Sequence, residues 1–208
     1  MKEKGFTLIE LLIVLALIAI LAVILIVIIR PGQIFIRARD TQRSGDLGNL
    51  SKAVDAYVAE LATNPSLAWP ARGTCSSTSP GNIFFSITTA AAPTGWPAIP
   101  SGGTATGTTS QTPDGNGWVP LNFTLVPVLS LGTLPLDPRN NQSGTAANGQ
   151  SVVFAYSFTC DTNYNYEFAA KLEGNASAMA NDGGNRNTCT SVSVDCLYEV
   201  GPGARSLY

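Results

Sequence analysis

Lys4-Gly5-Phe6-Thr7-Leu8-Ile9-Glu10-Leu11-Leu12 opens the stretch whose reading decides the architecture of this chain. From Phe6 to Ile29 the sequence runs for 24 residues, of which 22 are apolar; Thr7 and Glu10 are the exceptions. As a helix rising ~1.5 Å per residue, this run reaches about 36 Å and crosses a ~30 Å hydrocarbon core with some tilt. A helix on a soluble core needs one apolar stripe, whereas Leu11 to Ile29 is apolar on every side. A secretory signal would have an apolar region of ~7–15 residues and an A-x-A-like cleavage site. Leu25-Ile26-Val27-Ile28-Ile29, ahead of Arg30, offers no such site. A plain anchor accounts for the length but not for Glu10, since a carboxylate at mid-bilayer costs ~2.5–3.5 kcal/mol on insertion scales.

Cleavage between Gly5 and Phe6 gives Glu10 a partner. Lys2, Glu3, Lys4 and Gly5 form a short polar leader, and removing it leaves a cationic amine on Phe6. That amine sits four residues from Glu10, about one helical turn. The helix dipole favours a carboxylate at this end. In an array of such helices, Glu10 of one subunit can pair with the Phe6 amine of the next, which is far cheaper in lipid than two lone charges and fixes axial register.

Lys4 through Leu12 resembles the prepilin signature of type IV pilins and type II secretion pseudopilins. In that family a membrane aspartyl peptidase cuts after the glycine and N-methylates the new first residue, and the glutamate at the fifth mature position serves assembly. The resemblance therefore implies processing at Gly5 and Phe6 and an assembly role for Glu10. It covers roughly the first sixty residues; the remainder matches only in organisation. Loop charge alone points the other way on topology, because Arg30, Arg37, Arg39 and Arg43 follow the span while only Lys2 and Lys4 precede it. The resemblance and the cysteines place the C-terminal side outside the cytoplasm. The arginines either pair with Asp40 and Asp46 or form a solvated face.

Beyond the span, Pro31-Gly32 interrupts the helix. Leu47, Leu50, Val54, Tyr57 and Leu61 follow a 3-4-3-4 spacing and predict one apolar stripe on an amphipathic helix. Residues 40 to 46 are polar throughout, so this part is expected to be exposed or in subunit contacts. Asn64-Pro65 ends the helix. Residues 71–120 are rich in Gly, Ser, Thr, Pro and Ala and read as a long loop region with one short strand at Ile83–Ile87. Trp69, Trp96 and Trp118 are expected to anchor it. Val152, Phe154, Tyr156 and Phe158 alternate along one run, and Tyr164, Tyr166, Phe168, Ala170 and Leu172 along another. The two predict an antiparallel hairpin with one apolar face covering the helix stripe. Leu134-Pro135-Leu136-Asp137-Pro138 resembles the turn region that leads into the sheet of major pseudopilins and related minimal pilins. Val192 and Val194 suggest a last short strand.

Cys75, Cys160, Cys189 and Cys196 all lie past the span, and an even count in an exported domain favours two disulfides with three connectivities. The six residues intervening between Cys189 and Cys196 favour that pair, leaving Cys75 with Cys160. There is no histidine, which excludes Ser-His-Asp and Cys-His catalysis, and no C-x-x-C pair suggests zinc. No metal and no cofactor are expected. Major pseudopilins bind calcium in a C-terminal loop, and Asp182, Asn185 and Asp195 are the oxygens such a loop would offer here. A net charge of −2, with only 12% charged residues against the ~25% usual for soluble domains, argues against a nucleic-acid binder.

The expected fold is α+β and pilin-like: a long N-terminal helix, transmembrane half plus amphipathic half, packed on a small antiparallel sheet. The expected parts are a leader (1–5), a membrane and assembly helix (6–30), its amphipathic continuation (31–62) and a globular head (63–208) with a hairpin at about 152–172. The expected function is that of a structural subunit rather than an enzyme. It is held in the inner membrane, cut by a prepilin peptidase and assembled by pilus or secretion machinery into a homopolymer, an extracellular pilus. The alternatives are a periplasmic pseudopilus subunit and a single-span surface protein with a binding head.

Overall fold

The computed structural model describes residues 5–69, 82–99, 103–126, 129, 131–190 and 192–202. The chain divides into two compact units, Met1–Ile36 and Arg37–Tyr208. In the first unit, α1 spans Leu8–Ile29. Leu8–Ile26 is long and apolar enough to cross a membrane, and none of it is buried by the rest of the molecule. Arg30 ends α1 in the left-handed region (φ 45°, ψ 69°), and Pro31 begins α2, Pro31–Glu60. Proline suits a first helical position because its missing N–H has no intrahelical acceptor to lose. The helix break expected at Pro31-Gly32 therefore falls one residue earlier. Gly45 and Gly48 do not interrupt α2.

In the second unit, α2 lies on a five-stranded sheet built from β1 (Ile83–Phe85), β2 (Ala105–Gly107), β5 (Tyr156–Cys160), β6 (Tyr166–Ala170) and β7 (Tyr198–Val200), in the order β2-β1-β5-β6-β7. Leu47, Leu50, Val54 and Tyr57 bury the expected stripe against Phe84, Tyr156, Phe158 and Phe168. Two tyrosine hydroxyls fasten the stripe's polar margin: Tyr156 donates to Asp46 Oδ2 at 2.8 Å, and Tyr166 to Asp55 Oδ1 at 2.6 Å.

Several expectations need correcting. The sheet is mixed rather than antiparallel, since β2 runs parallel to β1. β2 lies at the β1 edge of the sheet and comes from a segment read as loop. The run from Val152 to Phe158 is two strands. β4 (Ser151–Val153) pairs with β3 (Ser143–Thr145) in a separate ribbon, and β5 starts at Tyr156. The ribbon claims Phe154, the first of the two residues between them, as Phe154 N donates to Gln142 O and Phe154 O accepts from Asn141 N. The β5–β6 hairpin forms with Phe158 opposite Phe168, but Tyr164 sits at its tip with φ 64°. It has no solvent face. Ile87, Trp96 and Leu197 cover the side opposite α2, against Ile83, Phe85 and Ala169. Val192 and Val194 are exposed and form no strand; the last strand is β7. The three tryptophans act as anchors, their indole N–H groups donating to Asp161 O, Val153 O and Pro135 O.

The largest correction concerns residues 40–46. Arg43 is fully buried and Asp40 nearly so. Arg43 grips Asp137 with two parallel hydrogen bonds of 2.7 and 2.9 Å, and its third nitrogen donates to Asp40 and Glu173. Glu173 also receives two 2.7 Å bonds from Arg39 and one of 3.1 Å from Arg139. Asp40 accepts the backbone N–H groups of Glu173 and Gly174, both at 2.8 Å. Arg43 and Arg139 both lie over the ring of Phe154, 4.6 and 4.8 Å from its centroid. Arg39, Arg43 and Arg139 thus balance Asp40, Asp137 and Glu173, three charges of each sign. Asp46, expected as an arginine partner, holds Tyr156 instead. Burial alone would disfavour the charged forms. Around Arg43, Asp137 and Glu173 outweigh that penalty and raise the guanidinium's pKa. Around Glu173, Arg39 and Arg43, with Arg139, outweigh it and pull the carboxyl down to about 2.

Replacing Arg43 with Ala strands Asp137 and Asp40 in a dry site, and breaking a buried pair in this way costs ~3–5 kcal/mol. Denaturant unfolding of the full chain in detergent should show that loss. The acid limb follows from Glu173. Its pKa is depressed, so its contribution is in place above the ordinary 4.5 and drains away as pH falls toward about 2. Melting temperatures between pH 6 and 2.5 should therefore fall more steeply for the native chain than for Glu173→Gln.

Candidate processing and assembly site

Thr7 caps α1 from an extended conformation (φ −86°, ψ 151°). Its side chain and that of Glu10 form a reciprocal capping box. Glu10 N donates to Thr7 Oγ1 at 3.3 Å, while Glu10 Oε2 accepts Thr7 N at 2.9 Å and Thr7 Oγ1 at 2.8 Å. A helix start leaves four backbone donors without intrahelical acceptors, and in lipid each would be expensive. The box satisfies two of them, and such caps contribute ~0.5–2 kcal/mol in water. The carboxylate also sits in the first turn, where the helix dipole favours it.

The cap fixes where the helix begins. Gly5, Phe6 and Thr7 precede the first turn and have no regular structure, and Phe6 is 87% exposed. The Gly5–Phe6 peptide is therefore an accessible, non-helical bond one residue ahead of a capped helix, which is the form a peptidase can engage. The rest of the expected leader, residues 1–4, lies outside the described residues. Thr7 was not singled out in the sequence, although the signal was there: Thr7-x-x-Glu10 before an apolar run is a capping-box pattern.

The other anticipated residues fall as follows. Cys189 and Cys196 form a disulfide. Cys160 is also disulfide-bonded, and its expected partner, Cys75, lies outside the described residues. Two of the oxygens suggested for a calcium loop have protein partners. Asp182 accepts the backbone N–H groups of Gly184 and Glu199, and Asp195 pairs with Arg186. Among the described residues no group of three His, Cys, Asp or Glu side chains is placed to hold a metal ion. Asp161, at the head of the calcium-like segment, instead caps its own turn by accepting Asn163 N and Asn165 N.

Residues 1–26 match the family model for the prokaryotic N-terminal methylation motif. No curated protein and no solved structure matches the chain. Pilin-type proteins bearing this motif are structural rather than enzymatic, and the motif implies a membrane-anchored precursor, processing by a prepilin peptidase and delivery to pilus-type machinery. With Thr7 and Glu10 closing the start of an exposed apolar helix, and an α+β head following it, residues 1–26 carry a prepilin-type methylation motif and the chain is similar in organisation to type IV pilin-like proteins.

Proposed function

We propose that this protein is the structural subunit of a type IV pilus or pilin-like filament, acting without a cofactor. It waits in the inner membrane as a prepilin, is cleaved after Gly5 and N-methylated at Phe6, and polymerises through α1. The observation that carries the reading is a helix apolar on every side and unburied along Leu8–Ile26, capped by Glu10. Such a surface is stable only in lipid or against copies of itself. Lipid solvates it before assembly, and neighbouring α1 helices replace the lipid in the filament. The new amine at Phe6 lies next to the Thr7–Glu10 cap. Glu10 of one subunit can accept the amine of another while keeping its hold on Thr7, because a carboxylate offers about four lone-pair sites.

The head belongs outside the cytoplasm in this reading, and the Cys189–Cys196 disulfide supports that, since disulfides persist in oxidising compartments. Two of the four arginines that follow the span, Arg39 and Arg43, have a use in the fold of the head. The long segment between α2 and the main hairpin gives the head more surface than a minimal sheet requires, which favours a pilus subunit over a compact pseudopilin.

Mass spectrometry of protein recovered from cells should find N-methyl-Phe6 as the first residue; an intact Met1 sinks the proposal. Glu10→Ala should enter the membrane at normal abundance yet form no filaments by electron microscopy. Ordinary filaments from that variant would remove the charge-pairing step.

A further inference from the structure

On the sheet face opposite α2, two carboxyl groups meet without a donor between them. β6 and β7 are antiparallel with Ala169 opposite Glu199, so Glu167, two residues along β6, is a diagonal neighbour of Glu199 on the same face. Glu167 is fully buried and Glu199 2% exposed. Neither oxygen of Glu167 and only Oε2 of Glu199 has a hydrogen-bond donor among the described residues. Glu199 Oε2 accepts Arg186 N at 2.8 Å, and Asp182 Oδ2 accepts Glu199 N at 2.6 Å. The loop backbone lies directly on the pair, and no side chain fits at Gly184 because it would strike the Glu199 carboxyl.

Two adjoining carboxylates cannot both stay ionised where water is excluded. Burial, then the Glu199 carboxyl, hold Glu167 well above the usual carboxylate range, and burial raises Glu199 as well. The groups facing the pair are Asp182 and Arg186 from the loop, of opposite effect; Thr159 lies opposite Glu167 on β5, and its hydroxyl donates to Asn82 O at 3.1 Å. Lys171 lies further along the same face of β6 and donates to Gln150 Oε1, Val194 O and Cys196 O.

We propose that Glu167 and Glu199 share one proton and so form a pH-operated clasp. It holds β7, with the loop closed by Cys189–Cys196, on the edge of the sheet and loosens as the proton leaves. A proton held between the two carboxyls makes a short, charge-assisted hydrogen bond of the strong kind. A carboxyl with a raised pKa contributes fully below the ordinary 4.5, and its contribution declines as pH rises through the raised value. Lys171 runs the opposite way. Burial lowers its pKa to about 7, so its contribution grows as pH rises above that point. Below about 7 the change therefore comes from the acids, the pair together with Asp182, whose carboxyl burial also raises, and the Glu167→Gln variant separates the pair from Asp182. When the clasp opens, the backbone of β6 becomes an unpaired strand edge.

The test is hydrogen exchange of the full chain in detergent micelles, followed by mass spectrometry at pH 5 and pH 7, with rates corrected for intrinsic pH dependence. Peptides covering Tyr198–Val200 should lose about tenfold or more in protection between the two conditions, since each unit between the unfolded and folded pKa values changes the equilibrium up to tenfold. Peptides covering Ile83–Phe85 serve as the internal reference and should not change. Glu167→Gln keeps the shape and a donor but cannot lose a proton, so its protection should be level across the range. If that variant does not fold, Glu199→Gln makes the same test. Equal protection of the native chain at both pH values, or the native fall surviving in the folded variant, overturns the proposal. So does a gain in protection at pH 7 on adding calcium chloride that the variant lacks, because a cation would then occupy the proton's place.

Discussion

Arg43 carries its charge with no access to water, and the head is assembled around the need to satisfy it. Its guanidinium takes both oxygens of Asp137, one of Asp40 and one of Glu173, which brings together α2, the turn ahead of β3 and the segment leaving β6. These partners lie 94 and 130 residues away in sequence, so the cluster closes two long loops at one point. An isolated buried charge costs several kcal/mol, and only a complete set of partners with good geometry offsets it. The stack of Arg43 and Arg139 on Phe154 then explains why Phe154 leaves the hairpin and joins the ribbon.

The same rule operates at the other end of the chain under a different solvent. In lipid no water completes an open helix start, so Thr7 and Glu10 complete it from within. Glu10 therefore has a use within its own chain: it closes the start of the helix and leaves Gly5–Phe6 outside it. Its proposed second use, receiving a neighbour's amine, builds on a carboxylate already held in place. Arg43 and Glu10 are both charges in apolar surroundings; one is satisfied by distant parts of its own fold, the other by its nearest turn.

Local sequence determined the features that rest on a strong local pattern. The length of Phe6–Ile29 and the unbroken apolarity of Leu11–Ile29 specify a membrane-length helix, and the 3-4 spacing from Leu47 to Tyr57 specifies the face that seats the head. Tyr166, Phe168 and Ala170 specify a strand by alternation, and seven positions of separation suffice to pair Cys189 with Cys196. The capping box was legible too, in Thr7-x-x-Glu10.

Only the tertiary structure decided which charges go inside. Asp40 and Arg43 continue the same 3-4 spacing two turns upstream of Leu47, so the pattern that marks the buried face already included them. Polarity alone argues for solvent, and nothing local reveals that Asp137 and Glu173 come to meet them. The parallel β2, the covered second face of the hairpin and the Glu167–Glu199 contact share this origin. Each depends on partners brought from far along the chain, and burial of a polar group is settled by whether its partners arrive, which is a property of the whole fold.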